Sequence, residues 1–161
     1  MNTSMIKIEG LTFSYGKKAS VFQDFSLKME AGKVIGLLGK NGTGKSTLLY
    51  ASLNYLNRLD TNIITIEDPV ELNLDGINQM QVNQKAGMDF AVALRASLRQ
   101  DPDIVMIGEI RDEVVAKQAI TTALTGHLVL TTLHTKNALG VPARLIDLGV
   151  SPVMLSIALL G

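Results

Sequence analysis

The octapeptide Gly39-Lys40-Asn41-Gly42-Thr43-Gly44-Lys45-Ser46 has the composition and spacing of a phosphate cradle, G-x-x-x-x-G-K-[ST]. Glycines let successive backbone N–H groups turn inward around phosphate oxygens. A helix opening at the end of such a loop adds partial positive charge to the same point. In this pattern the Lys45 ammonium reaches the β and γ phosphates and the Ser46 hydroxyl ligates Mg²⁺. The expected ligand is therefore ATP with Mg²⁺, contacted by Gly39, Asn41, Gly42, Thr43, Gly44, Lys45, Ser46 and Thr47.

A cradle of this kind needs carboxylates to hold the Mg²⁺ water shell and to position water. In open parallel sheets they sit at the C-terminal ends of strands, beside the ligand crevice. Glu67 and Asp68 follow the apolar run Asn62–Ile66, with Glu71 just beyond, and Glu109 follows Ile104–Ile107. Two acidic clusters after two buried strands point to function rather than to solvated loop ends. His127 and His134 flank a further strand at i and i+7, which puts them at its opposite ends and on opposite faces, unable to share a metal ion. His134 reads either as a γ-phosphate sensor or as a polar strand terminus, and His127 as structural or interfacial. Arg95, Arg99 and Arg111 are candidate phosphate clamps or fingers. The alternatives are a solvated helix face for Arg95 and Arg99 and an ion pair with Glu109 for Arg111.

The elements that must position these groups follow from hydrophobic period. Ile6–Tyr15 alternates as a half-buried strand, and Val21–Met29 reads as a second. Val34–Leu38 is wholly apolar, as suits a strand buried on both faces of a parallel sheet. Lys45–Arg58 then carries a helical stripe of Leu48, Leu49, Ser52, Leu53 and Leu56. Asn62–Ile66, Ile104–Ile107 and Leu128–Leu133 are predicted strands. Asp89–Gln100 is a predicted helix, with Phe90, Leu94 and Leu98 opposite Arg95 and Arg99. Asp112 is placed to cap a helix through Leu124 that Gly126 closes. Ala138–Leu148, weakened by Gly140 and Pro142, and Pro152–Leu160 are the last predicted helices. Alternating β and α units of this length predict a single α/β domain over 1–161. Its expected form is a three-layer P-loop NTPase fold, with a mostly parallel central sheet and N-terminal antiparallel strands.

Composition excludes several chemistries. The chain of 161 residues has no cysteine, which removes disulfides, thiolate metal sites and cysteine nucleophiles. No basic stretch leads into an apolar run at the N-terminus, and no segment approaches the ~20 continuous apolar residues of a membrane span. The expected setting is the cytoplasm, or a recombinant host if the chain is engineered. No basic stripe with interleaved aromatics supports nucleic-acid binding. The expected partner is nucleotide, and self-association is left open. The zero net charge hides a gradient: residues 1–50 carry seven lysines against three acids, and all five arginines come later.

Two resemblances account for this gradient. Residues 5–49, with IKIEGLTFSYG before the cradle, resemble the start of an ABC-transporter ATPase, in which Tyr15 matches the aromatic that stacks on adenine. Residues 49–161 resemble the type II secretion and type IV pilus motor ATPases. The stretches TIEDPVELNLDGINQMQVNQ, LRQDPDIVMIGEIRD and ALTGHLVLTTLHTKNA match that family's Asp box, atypical Walker B and His box. The second resemblance implies that Glu71 is the general base, that Glu109 is the Walker B acid facing Mg²⁺ through water, and that His134 is the His-box contact. Gly108 stands where many P-loop ATPases have Asp, a departure normal for the motor family. The resemblances meet at Gly44–Thr47, so the expectation is an engineered or recombined chimera joined near Thr47–Leu49.

Three functional readings follow. In the first, the chain binds ATP–Mg²⁺ with weak or absent hydrolysis, because catalytic fingers from neighbouring domains are missing; an arginine finger is worth ~10³–10⁵ in rate. In the second it is an oligomeric ATPase of secretion-motor type that supplies Arg95 or Arg99 in trans. The third is a folded, non-enzymatic scaffold with a misaligned cradle. The chain contains no LSGGQ-type signature helix, and the motor family's separate N-terminal domain and its later segments are not in it. Transport coupling is accordingly not expected of these residues alone.

Overall fold

In a computed structural model, residues 5–13, 22–30, 32–37, 45–135 and 139–159 are described. The alternating N-terminal segments form an antiparallel ribbon, β1 (Met5–Phe13) and β2 (Phe22–Glu30), with Ile8 opposite Leu27. The predicted buried runs supply most of the central sheet. It contains β3 (Val34–Leu37), β4 (Ile63–Glu67), β5 (Asn78–Gln81), β6 (Ile104–Ile107) and β7 (Leu128–Thr132). Their order is β3-β7-β6-β4-β5, and every neighbouring pair is parallel. The mostly parallel α/β sheet with an N-terminal antiparallel pair is the architecture the periodicity predicts.

Between the strands run α1 (Lys45–Leu56), α2 (Phe90–Leu98), α3 (Glu113–Leu124), α4 (Gly140–Asp147) and α5 (Pro152–Leu159). Strand side chains alternate between two cores, as the pleat requires. Ile63, Ile104, Met106, Leu128 and Leu130 point to the α1 side, where Leu49, Leu53, Leu56 and Ile8 of the ribbon meet them. Val34, Ile66, Val105, Ile107 and Val129 point to the other side, onto Phe90 and Leu94 of α2, Val115, Ala119 and Ile120 of α3, and Leu155 of α5. Apolar burial at ~25 cal/mol per Å² on both faces is what holds the three layers together.

The helix starts follow local chemistry. Asp89 accepts a hydrogen bond from the Val92 N–H at 2.7 Å, and Asp112 accepts one from Val115 at 2.9 Å, each satisfying a donor that a first helical turn leaves unpaired. Gly126, at φ +105°, follows the C-cap Thr125 and ends α3 as expected. Strand β5 is the element that periodicity does not predict. Its residues Asn-Gln-Met-Gln show no apolar alternation, and it lies at the sheet edge, paired to β4 from Ile64↔Asn78 to Glu67↔Gln81. No helix among the described residues is long and apolar enough to cross a membrane.

Candidate functional site

Because β4, β6 and β7 are parallel, their C-terminal ends fall on one edge of the sheet, beside the first turn of α1. There a cleft of about 380 Å³ opens. From α1 come Lys45, Ser46 and Tyr50; Glu67, Asp68 and Glu71 lie at and beyond the end of β4. Gly108, Glu109 and Arg111 follow β6, and Thr132 and His134 come from the end of β7. Eight candidate residues named from the sequence therefore share one cavity: Lys45, Ser46, Glu67, Asp68, Glu71, Glu109, Arg111 and His134. Thr47 lies on α1 without lining it. Tyr15, Gly39, Asn41, Gly42, Thr43 and Gly44 lie outside the described residues.

Strand order explains which groups meet. Strand β7 sits between β3, which leads toward the phosphate loop, and β6, which carries the Glu109 turn. His134 at the end of β7 is thus within reach of Glu109, with Nε2 3.5 Å from Oε2. The Arg111 guanidinium binds Glu109 Oε1 directly and lies 3.5 Å from Asp68 Oδ2, bridging the ends of β6 and β4. The hydrogen bond from Arg111 is the main reason the Glu109 carboxyl is held below its ordinary range; partial burial opposes it, and His134 assists. Of the two sequence readings of Arg111, ion-pair partner or phosphate clamp, its geometry is that of the ion pair.

The other cations lie apart from the cleft. Arg95 on α2 and Arg99 at its C-cap are exposed, and Arg99 Nη1 donates to the Arg95 carbonyl at 3.2 Å. Arg95 borders a second depression that shares Glu109 and Arg111 with the first. His127, at the opposite end of β7 from His134, has Nδ1 3.0 Å from both Thr125 Oγ1 and the Thr122 carbonyl. That places it at the C-terminus of α3, bound to the helix end.

Glu67 departs from its expected role. Named as one of the acids at a strand end, it is 4% exposed and turned toward α1. Its carboxylate accepts from the Tyr50 hydroxyl at Oε2, and from Thr65 Oγ1 at 2.5 Å and Gln79 Nε2 at 3.1 Å at Oε1. Burial, then the contact with Glu67, pushes the Tyr50 phenol up to about 12. Tyr50 and Gln79 are residues that motif reading misses. The available signal was a hydroxylated aromatic off the leucine stripe of the first helix, one of two with Tyr55; Gln79 carried none.

A family model described as "Type II/IV secretion system protein" matches residues 5–161. The chain belongs to this family. The type II secretion system protein E of Pectobacterium carotovorum subsp. carotovorum is 57% identical over 128 residues, 80% of this chain and 26% of that protein. The type II secretion system ATPase E of Vibrio cholerae serotype O1 is 54% identical over 128 residues, 80% of this chain and 25% of that protein. Among solved structures, the pilus retraction motor PilT with bound ADP is similar at TM-score 0.72 and 38% identity, covering 79% of this chain and 40% of that one. The chain thus spans about a quarter of the length of these curated relatives.

The type II/IV secretion family match bears directly on the two-family expectation. One model runs through Thr47–Leu49 from residue 5, so a junction there and an ABC-transporter origin for residues 1–48 are not supported.

The donors at the secretion-family cleft suit a hard cation. They are oxygens: the Ser46 hydroxyl and the carboxylates of Glu109 and Glu71. Among the described residues no cluster of three or more His, Cys, Asp or Glu forms a closed cage. Such an open oxygen set fits Mg²⁺, which keeps several waters and leans on substrate phosphates.

Proposed function

We propose that this chain is the ATP–Mg²⁺-binding core of an oligomeric ATPase of secretion-motor type, in which assembly is required for fast hydrolysis. The observation that carries this reading is that Lys45 and Ser46, at the N-terminus of α1, open onto the same cleft as Glu71, Glu109 and His134. Lys45 binds the β/γ phosphates, and the positive end of α1 reinforces it. Ser46 and, through water, Glu109 hold Mg²⁺, which when bound neutralises phosphate charge. Glu71, exposed at the rim, accepts a proton from the attacking water. His134 faces the γ-phosphate and orients on Glu109.

The need for assembly follows from the arginines. Arg111 is held by Glu109 and Asp68, so the cleft supplies no further arginine of its own. Arg95 on α2 and Arg99 at its C-cap are exposed, and in the proposed assembly one of them serves a neighbour's site. A finger delivered in trans raises turnover by ~10³–10⁵. An isolated chain therefore binds ATP and turns over slowly. ATP supply places this activity in the cytoplasm.

Calorimetric titration of ATP–Mg²⁺ tests the core of the proposal. Saturable binding that Lys45→Ala abolishes is expected, and no saturable binding by the unmodified chain would sink it. Phosphate release followed across protein concentration tests the assembly requirement. Release per chain should rise with concentration and fall to a small residual rate in Glu71→Gln; a flat, Glu71-dependent rate would remove the trans contribution.

A further inference from the structure

The carboxylate of Glu67, 4% exposed, borders the cleft from the end of β4, and two of its three partners do a second job. The Tyr50 oxygen accepts the Glu71 backbone N–H at 3.1 Å. Gln79 donates to the Leu72 carbonyl at 3.0 Å and accepts the Leu74 N–H at 2.7 Å. The segment from Glu71 to Leu74 is thus held at both ends by side chains that converge on one carboxylate.

Proton counting makes the arrangement directional. A backbone N–H can only donate, so Tyr50 must accept from Glu71 with a lone pair. The single phenolic proton is then left for Glu67, which as a carboxylate can only accept. Gln79 is equally determined: one amide hydrogen goes to Glu67 and one to Leu72, and its oxygen takes Leu74. Glu67 therefore orients both ties at once. Tyr50 also lies on α1, little more than one helical turn after Lys45 and Ser46. The helix that starts at the phosphates is joined by one hydroxyl to the loop that carries the base.

We propose that Tyr50 and Gln79, oriented by buried Glu67, are positioning residues that fix Glu71 relative to the phosphate-binding end of α1. The inference rests on Glu71 being the base of the proposed reaction. Neither Tyr50 nor Gln79 is asked to touch substrate. Loss of either tie lets the Glu71 segment drift, and a misplacement of ~1 Å at a reacting group costs up to ~10²-fold in rate. Ground-state binding of nucleotide, which depends on the phosphate loop and Lys45, is untouched. The signature of such a role is a fall in kcat without a matching fall in affinity.

The test uses Tyr50→Phe, which keeps the ring and removes the hydroxyl, and Gln79→Met, which keeps the side-chain length. Hydrogen exchange in the nucleotide-free chain should quicken at the Glu71 amide in the first variant and at the Leu74 amide in the second. In steady-state assays kcat should drop on the order of tenfold to a hundredfold, while the ATP affinity measured by calorimetry stays as in the parent. Tyr50→Phe placed on Glu71→Gln should slow the reaction no further. Unchanged exchange at both amides, or affinity falling in step with kcat, or an additive loss in the double variant, each overturns the inference. A parent chain that binds no ATP would sink the proposed function instead, with the exchange measurement still deciding whether the ties hold the loop.

Discussion

The Thr132 hydroxyl donates a 2.7 Å hydrogen bond to the Gly108 carbonyl, 24 residues away in sequence. The Ile110 N–H returns one to the Thr132 carbonyl at 3.2 Å. These two bonds lace the ends of β6 and β7 beyond the regular ladder, and the residues just past them, Glu109 and His134, are those that meet at 3.5 Å. Thr132→Val keeps the side-chain shape and removes the donor. It should lower stability by about 1 kcal/mol in denaturant unfolding, the usual net worth of one such bond. In a complete crystal structure of that variant His134 should have moved away from Glu109.

Glu109 makes stability depend on acid. Its folded-state carboxyl lies below the ordinary value of 4.5, chiefly through Arg111. A depressed carboxyl stabilises the fold above its unfolded value and loses that contribution as pH falls through the folded value. The stability advantage of the parent over Glu109→Gln should therefore be full near neutrality and shrink as pH drops below 4.5. Added salt should reduce it as well, because Arg111 is half exposed. An advantage that persisted unchanged in strong acid would contradict the ion-pair assignment. Unfolding curves across pH for the two proteins make the comparison.

Gly149 follows α4 at φ +78°, and a Cβ there would come within 2.9 Å of the Glu113 carboxyl. The Glu113 side chain is exposed and can swing away, so the contact is relieved at little cost beyond its pairing with Lys117. The left-handed backbone is not relieved. Gly149→Ala should cost about 1 kcal/mol, most of it conformational. Thermal unfolding of Gly149→Ala beside Gly149→Ala/Glu113→Ala separates the two: nearly equal losses, each judged against its Gly149 parent, are expected.

The Asp112 cap sits one residue beyond Arg111, at the entry to α3. Asp112→Ala should cost about 1 kcal/mol of stability, while ATP binding is retained, since the cap acts on the helix and not on the cleft. Asp112→Asn should recover most of the loss, because the amide oxygen can still accept from Val115. Chemical denaturation of the three proteins reads this out directly.

Much of the molecule is legible in its sequence. Short, largely apolar runs announced β3, β4, β6 and β7, because a parallel strand covered on both faces carries few polar side chains. Asp112 and Gly126 marked helix ends through purely local hydrogen bonding and backbone freedom. The acids after β4 and β6 were found because strand direction alone decides which end carries the ligand edge. Strand β5 escaped, since an edge strand of Asn, Gln and Met is held by backbone pairing to β4, which leaves no periodic signature.

What the sequence by itself determined was therefore the set of local facts: strand or helix, start or stop, and the cradle pattern with Lys45 and Ser46 at the head of α1. Tertiary structure alone decided partnership. It separated the acids into Glu67, buried and committed to Tyr50, Thr65 and Gln79, and Glu109, open to the cleft and held by Arg111. Chain position cannot make that distinction, because both are glutamates placed near the end of an apolar strand. They differ because the pleat turns Glu67 toward α1, while Glu109 lies past the Gly108 turn, where the chain has left the sheet.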